Sequence, residues 1–309
     1  MTDEPAGRPV RGFSTRAILA ATRSPKVEQH PTAVPIYQSA TFAANDAAEF
    51  AAVIAAGSGY TYARLDNPTA SAMAAAVAEL EGAESGFAFG SGMAAIHAAL
   101  AALVRAGDRI VATRAVYGST RSLLDRVFAR FGVEIAYVDA TDPDEVSAAL
   151  PGARLLYLET ISNPTLVVVD IPELAERAHR AGALVVVDNT FASPYLCRPL
   201  ELGADLVVES ATKWLSGHSD VIAGAVSGPG RLVREVAAVE VDTGGIVAPF
   251  SAFLVLRGIA TLPVRMDRHS ETALALARFL ESALGPRAVV YPGLASHPQA
   301  VVAQRLLRA

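Results

Sequence analysis

A chain of 309 residues, 52% hydrophobic and only 18% charged, can bury a large core, which excludes a disordered or fibrous protein and predicts one large domain or two. Its formal net charge of −5 and its lack of any Lys/Arg cluster exclude a basic face for nucleic acid or an anionic membrane, so small molecules and other copies of itself are the expected partners. The single cysteine, Cys197, cannot close an internal disulfide and reads as a small buried hydrophobe in a reducing compartment.

In chain order, the opening MTDEPAGRPVRGFSTRAILAATRSP holds no sustained apolar stretch of the signal-peptide kind. No uncharged apolar run of spanning length follows, so a cytoplasmic location is expected. Residues 1–65 carry PIYQSATF and GYTYARLDNPT, rich in proline, tyrosine and glycine with little periodicity, and read as an arm that embraces a neighbour. Between about residues 85 and 228 the short apolar runs GFAF, DRIVA, VEIAYVD, RLLYLE, ALVVVD, ADLVVES and IAGAVS alternate with segments of helical period. That alternation predicts parallel strands with crossover helices, an α/β doubly wound sheet.

In GSGMAAIHAALAALVRAGD, Met93, Ile96, Leu100, Leu103 and Val104 share one helical stripe, with Gly107 as the stop. Asp170 and Glu173 read as a capping box opening another helix, which buries Leu174 and Ala178 before Gly182. Past Gly244 and Gly245 comes the long stripe TLPVRMDRHSETALALARFLESAL, and AVVYPGLASHPQAVVAQRLLRA reads as a strand followed by a helix. The organisation expected is therefore an arm over 1–65, a large α/β domain over 66–245, and linking helices with the start of a C-terminal domain over 246–309.

The stretch ESATKWLSGHSD carries the chemistry. Lys213, Asp188 and Asn163 each fall just past the carboxyl end of a predicted strand, where open α/β sheets bind ligands. A lysine amine desolvated among small residues can form a Schiff base with a carbonyl, and pyridoxal phosphate needs in addition an anion at its ring nitrogen and donors for its phosphate. Asp188, ending VVVD, supplies the anion. Backbone N–H groups of Gly92 and Met93 at a helix start, with the hydroxyls of Ser210 and Thr212, supply donors.

Each residue also has a plainer reading: Lys213 as a solvated loop lysine, Asp188 as a cap, Ser210 and Thr212 as turn residues. Gly90, Gly92 and Ala95 also satisfy the dinucleotide fingerprint G-x-G-x-x-A. DRIVATRAV ends without the acidic residue that a ribose wants, though Arg114 is placed for a 2′-phosphate, so an NADP-binding oxidoreductase stays open as a rival.

The ordered set PIYQSATF, YARLDNPT, GSGMAAI, VYGST, LETISNP, VVVDNTF, SATKWLSGHSD and LRGIATLPVRMDRH closely resembles the Cys/Met-metabolism family of pyridoxal phosphate enzymes, across essentially the whole chain. The resemblance implies the aspartate-aminotransferase-like fold, fold type I. It implies Lys213 as the lysine that binds the cofactor covalently, Asp188 as the ring-nitrogen partner, and Tyr117 as the stacking ring and acid/base group. Gly92, Met93, Ser210 and Thr212 match the phosphate cradle. Tyr62 and Arg64 match a pair that reaches the phosphate of an adjacent subunit, in a dimer or tetramer. Asn163 matches a residue near the ring oxygen and substrate carboxylate, and Glu159 is a weaker candidate.

The chemistry implied is γ-elimination or γ-replacement on a methionine- or homoserine-type amino acid. Thr61 and Ala70 lack the charges that suit cystathionine, which leaves the cystathionine enzymes as the alternative, while Ser119 stands where methionine γ-lyases carry Cys. Family members continue past SHPQ to an arginine that clamps the substrate carboxylate. The resemblance therefore reads this chain as C-terminally truncated, weakly active or an inactive subunit.

Overall fold

The computed structural model describes residues 12–22, 31–57 and 59–308; residues 1–11, 23–30 and 58, all within the predicted arm, and residue 309 lie outside the described residues. Every predicted apolar run of the α/β region forms a strand: β1 Ser85–Phe89, β2 Arg109–Thr113, β3 Glu134–Val138, β4 Ala153–Glu159, β5 Leu184–Asp188, β6 Leu206–Glu209 and β7 Gly224–Gly228. The helices are α1 Phe13–Thr22, α2 Ala47–Ala56, α3 Pro68–Glu81, α4 Gly92–Leu103, α5 Gly118–Leu123, α6 Pro143–Ala149, α7 Ile171–Arg180, α8 Ser193–Leu196, α9 Gly230–Thr243, α10 Pro249–Ile259, α11 Leu262–Leu284 and α12 Ala300–Leu306.

The strands form one sheet in the order β1-β7-β6-β5-β4-β2-β3. β2 to β6 pair in parallel, but β7 is antiparallel to both β1 and β6. The run IAGAVS thus departs from the parallel expectation. The chain leaves β6, turns, and returns beside it without a crossover helix, and only an antiparallel strand can be reached that way.

Side chains alternate across the sheet as the pleat requires. Leu155, Tyr157, Val186, Leu206 and Val208 pack with α4 and α9 on one face, while Leu156, Leu158, Val185, Val187 and Val207 pack with α6 and α7 on the other. A third apolar cluster joins α1, α3 and α10 around Met73, Leu80 and Val255. Cys197 is buried, and burial pushes its thiol up to about 12, as a small hydrophobe requires.

Several local expectations need correction. α4 ends at Leu103, and Val104 is its C-cap rather than part of the stripe; Gly107, at φ 92°, closes the turn that follows. At α7, Asp170 caps by accepting from Glu173 N at 3.4 Å, but the Glu173 carboxylate turns to Arg177 at 2.8 Å, so the box is closed from one side only. AVVYP forms no strand, because no neighbouring strand is there to pair with it; turns lead to α12. The arm segment contains α1, which buries Ala17 and Ala20 against α3 and α10, whereas PIYQSATF and GYTYARL are aperiodic and meet at one bridge, Thr41 to Tyr62, and at the rings of Phe42 and Tyr60, 5.7 Å apart. Among the described residues no helix is long and apolar enough to cross a membrane.

Candidate active site

The carboxyl ends of β4, β5 and β6 lie side by side, and the parallel register sets Glu159 opposite Asp188. Alternation sends Glu159, Asp188 and Ser210 toward α4, where they line a cleft of about 380 Å³. The same cleft takes in Gly92, Met93, Tyr117, Asn163, Thr212 and Lys213. Sites at strand ends of this kind are where open α/β sheets bind ligands.

α4 points its N-terminus into the cleft. Ser91 caps it, its Oγ accepting from Ala94 N at 3.0 Å, which leaves the N–H groups of Gly92 and Met93 in the first turn free to meet an anion. The helix end is wedged against the strand ends. A Cβ on Gly92 would stand 2.6 Å from Ser210 Cβ, and one on Gly224 would stand 2.3 Å from Ser91 O. Glycine at position 92 is therefore required by the approach of the α4 N-terminus to Ser210, and the spacing that mimics a dinucleotide fingerprint has this packing cause.

Two carboxylates meet at the cleft floor. Asp188 accepts from Thr190 N at 2.9 Å and from the buried Tyr157 hydroxyl at 3.4 Å, and burial holds its carboxyl above the ordinary range. Glu159, 4% exposed, is pushed up to about 8 by burial first and by the neighbouring Asp188 second. Its two oxygens accept from Tyr117 N at 2.7 Å and Asn163 N at 3.2 Å, so one strand-end glutamate holds the segments that carry both cleft residues. Two adjacent, largely buried carboxyl groups call for a cationic N–H partner, and a protonated pyridine nitrogen has that chemistry. With the helix end above and the carboxylates below, the residues present fit pyridoxal 5′-phosphate.

Lys213 sits in a run of turns after β6, its N–H on Ser210 O at 3.1 Å and its carbonyl accepting from Gly217 N at 2.8 Å. It lines the cleft but is exposed, so in the isolated chain the small residues around it do not desolvate the amine as expected. Tyr117, at the start of α5, is 41% exposed. Thr212 also lines the cleft, yet its hydroxyl donates to Ala223 O at 3.1 Å and accepts from Ala223 N at 3.0 Å. Tyr62 and Arg64 are not brought to this cleft. Arg64 lies over the Tyr62 ring, 5.5 Å from its centroid, and donates to Val241 O at 2.5 Å.

Thr190, Phe191, Trp214 and Ile222 line the cleft without having been singled out from the sequence. Thr190 accepts from Ser210 N at 2.8 Å, and Trp214 Nε1 donates to Phe191 O at 2.9 Å. The signal was present: Thr190 and Phe191 complete VVVDNTF, and Trp214 follows the lysine.

A model of the family described as Cys/Met metabolism PLP-dependent enzyme matches residues 14–309. The chain belongs to that family. The Cys/Met metabolism family works with pyridoxal 5′-phosphate, which removes the dinucleotide reading of Gly90, Gly92 and Ala95. The chain is 44% identical over 302 residues to the L-methionine gamma-lyase of Porphyromonas gingivalis, covering 95% of this chain and 74% of that protein. It is equally 44% identical, over 301 residues, to the cystathionine gamma-synthase of Mycobacterium tuberculosis, covering 97% of this chain and 76% of that one. The crystal structure of cystathionine gamma-lyase from Lactobacillus plantarum complexed with L-serine superposes with a TM-score of 0.89 at 37% identity, over 97% of this chain and 76% of the other. The fold is that of the Cys/Met metabolism family, fold type I, as the sequence motifs implied.

Proposed function

We propose that this chain binds pyridoxal 5′-phosphate covalently through Lys213 and removes or replaces a group on Cγ of a methionine- or homoserine-type amino acid. The observation that carries the reading is the convergence, in one cleft, of an amine, a buried pair of carboxylates and a helix N-terminus. When bound, the cofactor supplies an electron sink for the carbon acid at Cα. Gly92 and Met93 N–H and the Ser210 hydroxyl hold its phosphate, with Thr212 joining once its bond to Ala223 O is released. Asp188 holds the proton of the ring nitrogen, and Glu159 keeps Tyr117 and Asn163 in place around it.

The Lys213 amine, released when the substrate amine displaces it, would take the proton from Cα and then one from Cβ. The electron pair left at Cβ expels the group on Cγ, which the Tyr117 phenol would protonate, with Asn163 on the substrate carboxylate. Tyr62 and Arg64, remote from their own cleft, serve the phosphate of a neighbouring subunit in a cytoplasmic dimer or tetramer, where Arg64's planar fork suits a phosphate.

Borohydride treatment of the purified protein followed by digestion and mass spectrometry is expected to place the adduct on Lys213; an adduct elsewhere, or none, overturns the reading. The uncharged Thr61 and Ala70 favour methionine or O-acetylhomoserine with sulfide over cystathionine. The equal identity to a methionine gamma-lyase and a cystathionine gamma-synthase keeps cystathionine as the second reading. A panel of methionine, homocysteine, cystathionine, and O-acetylhomoserine with sulfide separates them by kcat/KM.

A further inference from the structure

Behind the cleft, each strand end carries a second residue that alternation turns to the opposite side of the sheet. Thr160 follows Glu159, Asn189 follows Asp188, and Glu209 precedes Ser210; all three are fully or almost fully buried, with exposures of 0%, 0% and 2%. They form one network with Glu81, the last residue of α3, itself 0% exposed. Thr160 Oγ1 donates to Asn189 Oδ1 at 2.8 Å, and Asn189 Nδ2 donates to Glu81 Oε1 at 2.7 Å and to Cys197 O at 2.9 Å. The Glu81 and Glu209 carboxyl groups lie within hydrogen-bonding reach of each other.

The network does not balance if both carboxyls are ionised. Glu81 Oε2 and both oxygens of Glu209 meet no donor among the described residues. Two acceptor-only groups cannot bond each other, and a second buried negative charge would be uncompensated. The charged groups around the pair are few. Arg198 faces Glu81, but its guanidinium is drawn to Glu201 at 2.6 Å, which Arg308 also holds at 2.9 Å; Arg16 acts on Arg198 from α1. Asp188 adds negative charge toward Glu209, and the buried Cys197 thiol is neutral. Burial raises both carboxyls above the ordinary carboxylate range, and for Glu209 the Glu81 charge adds to it.

We infer that Glu81 and Glu209 share a single proton and act as a positioning pair, fixing Asn189 and Ser210 from behind and so setting where Asp188 and the phosphate end of the cleft stand. A proton between the two carboxyls supplies the missing donor and leaves one negative charge on the pair. Neither residue touches the cleft. The positioning half rests on the reading of Asp188 proposed above, whereas the shared proton does not.

Glu209→Gln tests the proton. The amide N–H replaces it as donor to Glu81 while keeping the side chain's shape. The infrared difference spectrum of wild type minus Glu209→Gln at neutral pH, read with or without cofactor, is expected to show a protonated-carboxyl stretch lost from the variant; its absence overturns the shared proton. The thermal profile gives the sign. A carboxyl raised on folding stabilises below its ordinary range and loses that stabilisation as pH climbs toward its raised value, about 8 for Glu81, so wild-type Tm should fall more steeply than that of Glu209→Gln from just above the ordinary carboxylate range to about pH 8. Superimposable profiles count against the inference. Should Glu209→Gln not fold, Glu81→Gln carries the same two comparisons.

For positioning, Glu81→Ala removes the acceptor of Asn189 Nδ2 and is expected to weaken pyridoxal phosphate retention about tenfold, with Glu81→Gln restoring it. Wild-type retention in Glu81→Ala overturns that half. Absence of any chromophore in the wild type defeats the reading of the cleft but leaves the infrared result standing.

Discussion

Position 213 and position 92 make opposite demands on the fold. Lys213 is exposed, so Lys213→Ala should change the stability of the cofactor-free protein by no more than about 0.5 kcal/mol in urea denaturation while abolishing the visible chromophore of the loaded one. Retention of a borohydride-sensitive colour in that variant would contradict the assignment. Gly92 is the reverse case. A methyl there meets Ser210 at 2.6 Å, and the strand end cannot yield without moving the lysine turn. Gly92→Ala should cost about 1–3 kcal/mol by overpacking and lower cofactor affinity at least tenfold, measured by equilibrium dialysis of the phosphate ester. At this scale the sequence was informative wherever a residue's chemistry is unusual for its place. A strand-end Asp188 and a lysine among small residues stand out without coordinates. Glu81 and Glu209 do not, because their meaning depends on two segments far apart in the chain that only the folded sheet brings together.

Among the elements, the strands were the most legible part, since each is a short, largely apolar run, and burial on both faces makes such runs continuous. Direction was not legible. Nothing in IAGAVS distinguishes an antiparallel return from a seventh parallel strand; the distinction lies in the absence of a helix between β6 and β7. AVVYP has strand composition but no edge to join, so tertiary context overrode propensity. Helix starts were readable through their caps. Asp170 accepts from Glu173 N at the head of α7, and with Glu173 turned to Arg177 no reciprocal bond compensates its loss. Asp170→Ala should therefore cost about 1 kcal/mol in equilibrium unfolding, and Asp170→Asn much less, because the cap acceptor survives.

For the whole molecule, the consequential observation is what one chain leaves out of its own cleft. Tyr62 is 43% exposed, and Arg64 rests on α9 with no side chain of the cleft beside it. If these residues complete a neighbour's site, two defective variants should repair each other. Lys213→Ala and Arg64→Ala proteins, each poorly active alone, should regain turnover when unfolded together and refolded, since mixed assemblies contain one site with both residues intact. No recovery in a mixture shown by native mass spectrometry to contain hybrids would remove the shared-site proposal. The aperiodic composition of the arm pointed this way in the sequence, although α1 turned out to be part of the core rather than of an outreaching segment.

The return of β7 beside β6 also bears on the lysine. Thr212 N donates to Ala223 O at 3.2 Å and Ala223 N to Thr212 Oγ1 at 3.0 Å, so the intervening residues form a loop clasped at its neck. Lys213 is the first residue beyond the clasp, and Gly217 and Ser219, with φ of 71° and 58°, lie out on the rim. The amine therefore takes its position from the clasp, and the rim is braced from outside: Arg265 donates to Trp214 O at 2.8 Å and would stand 2.0 Å from a Cβ added at Gly217, so a side chain there would push on the very turn that presents the lysine.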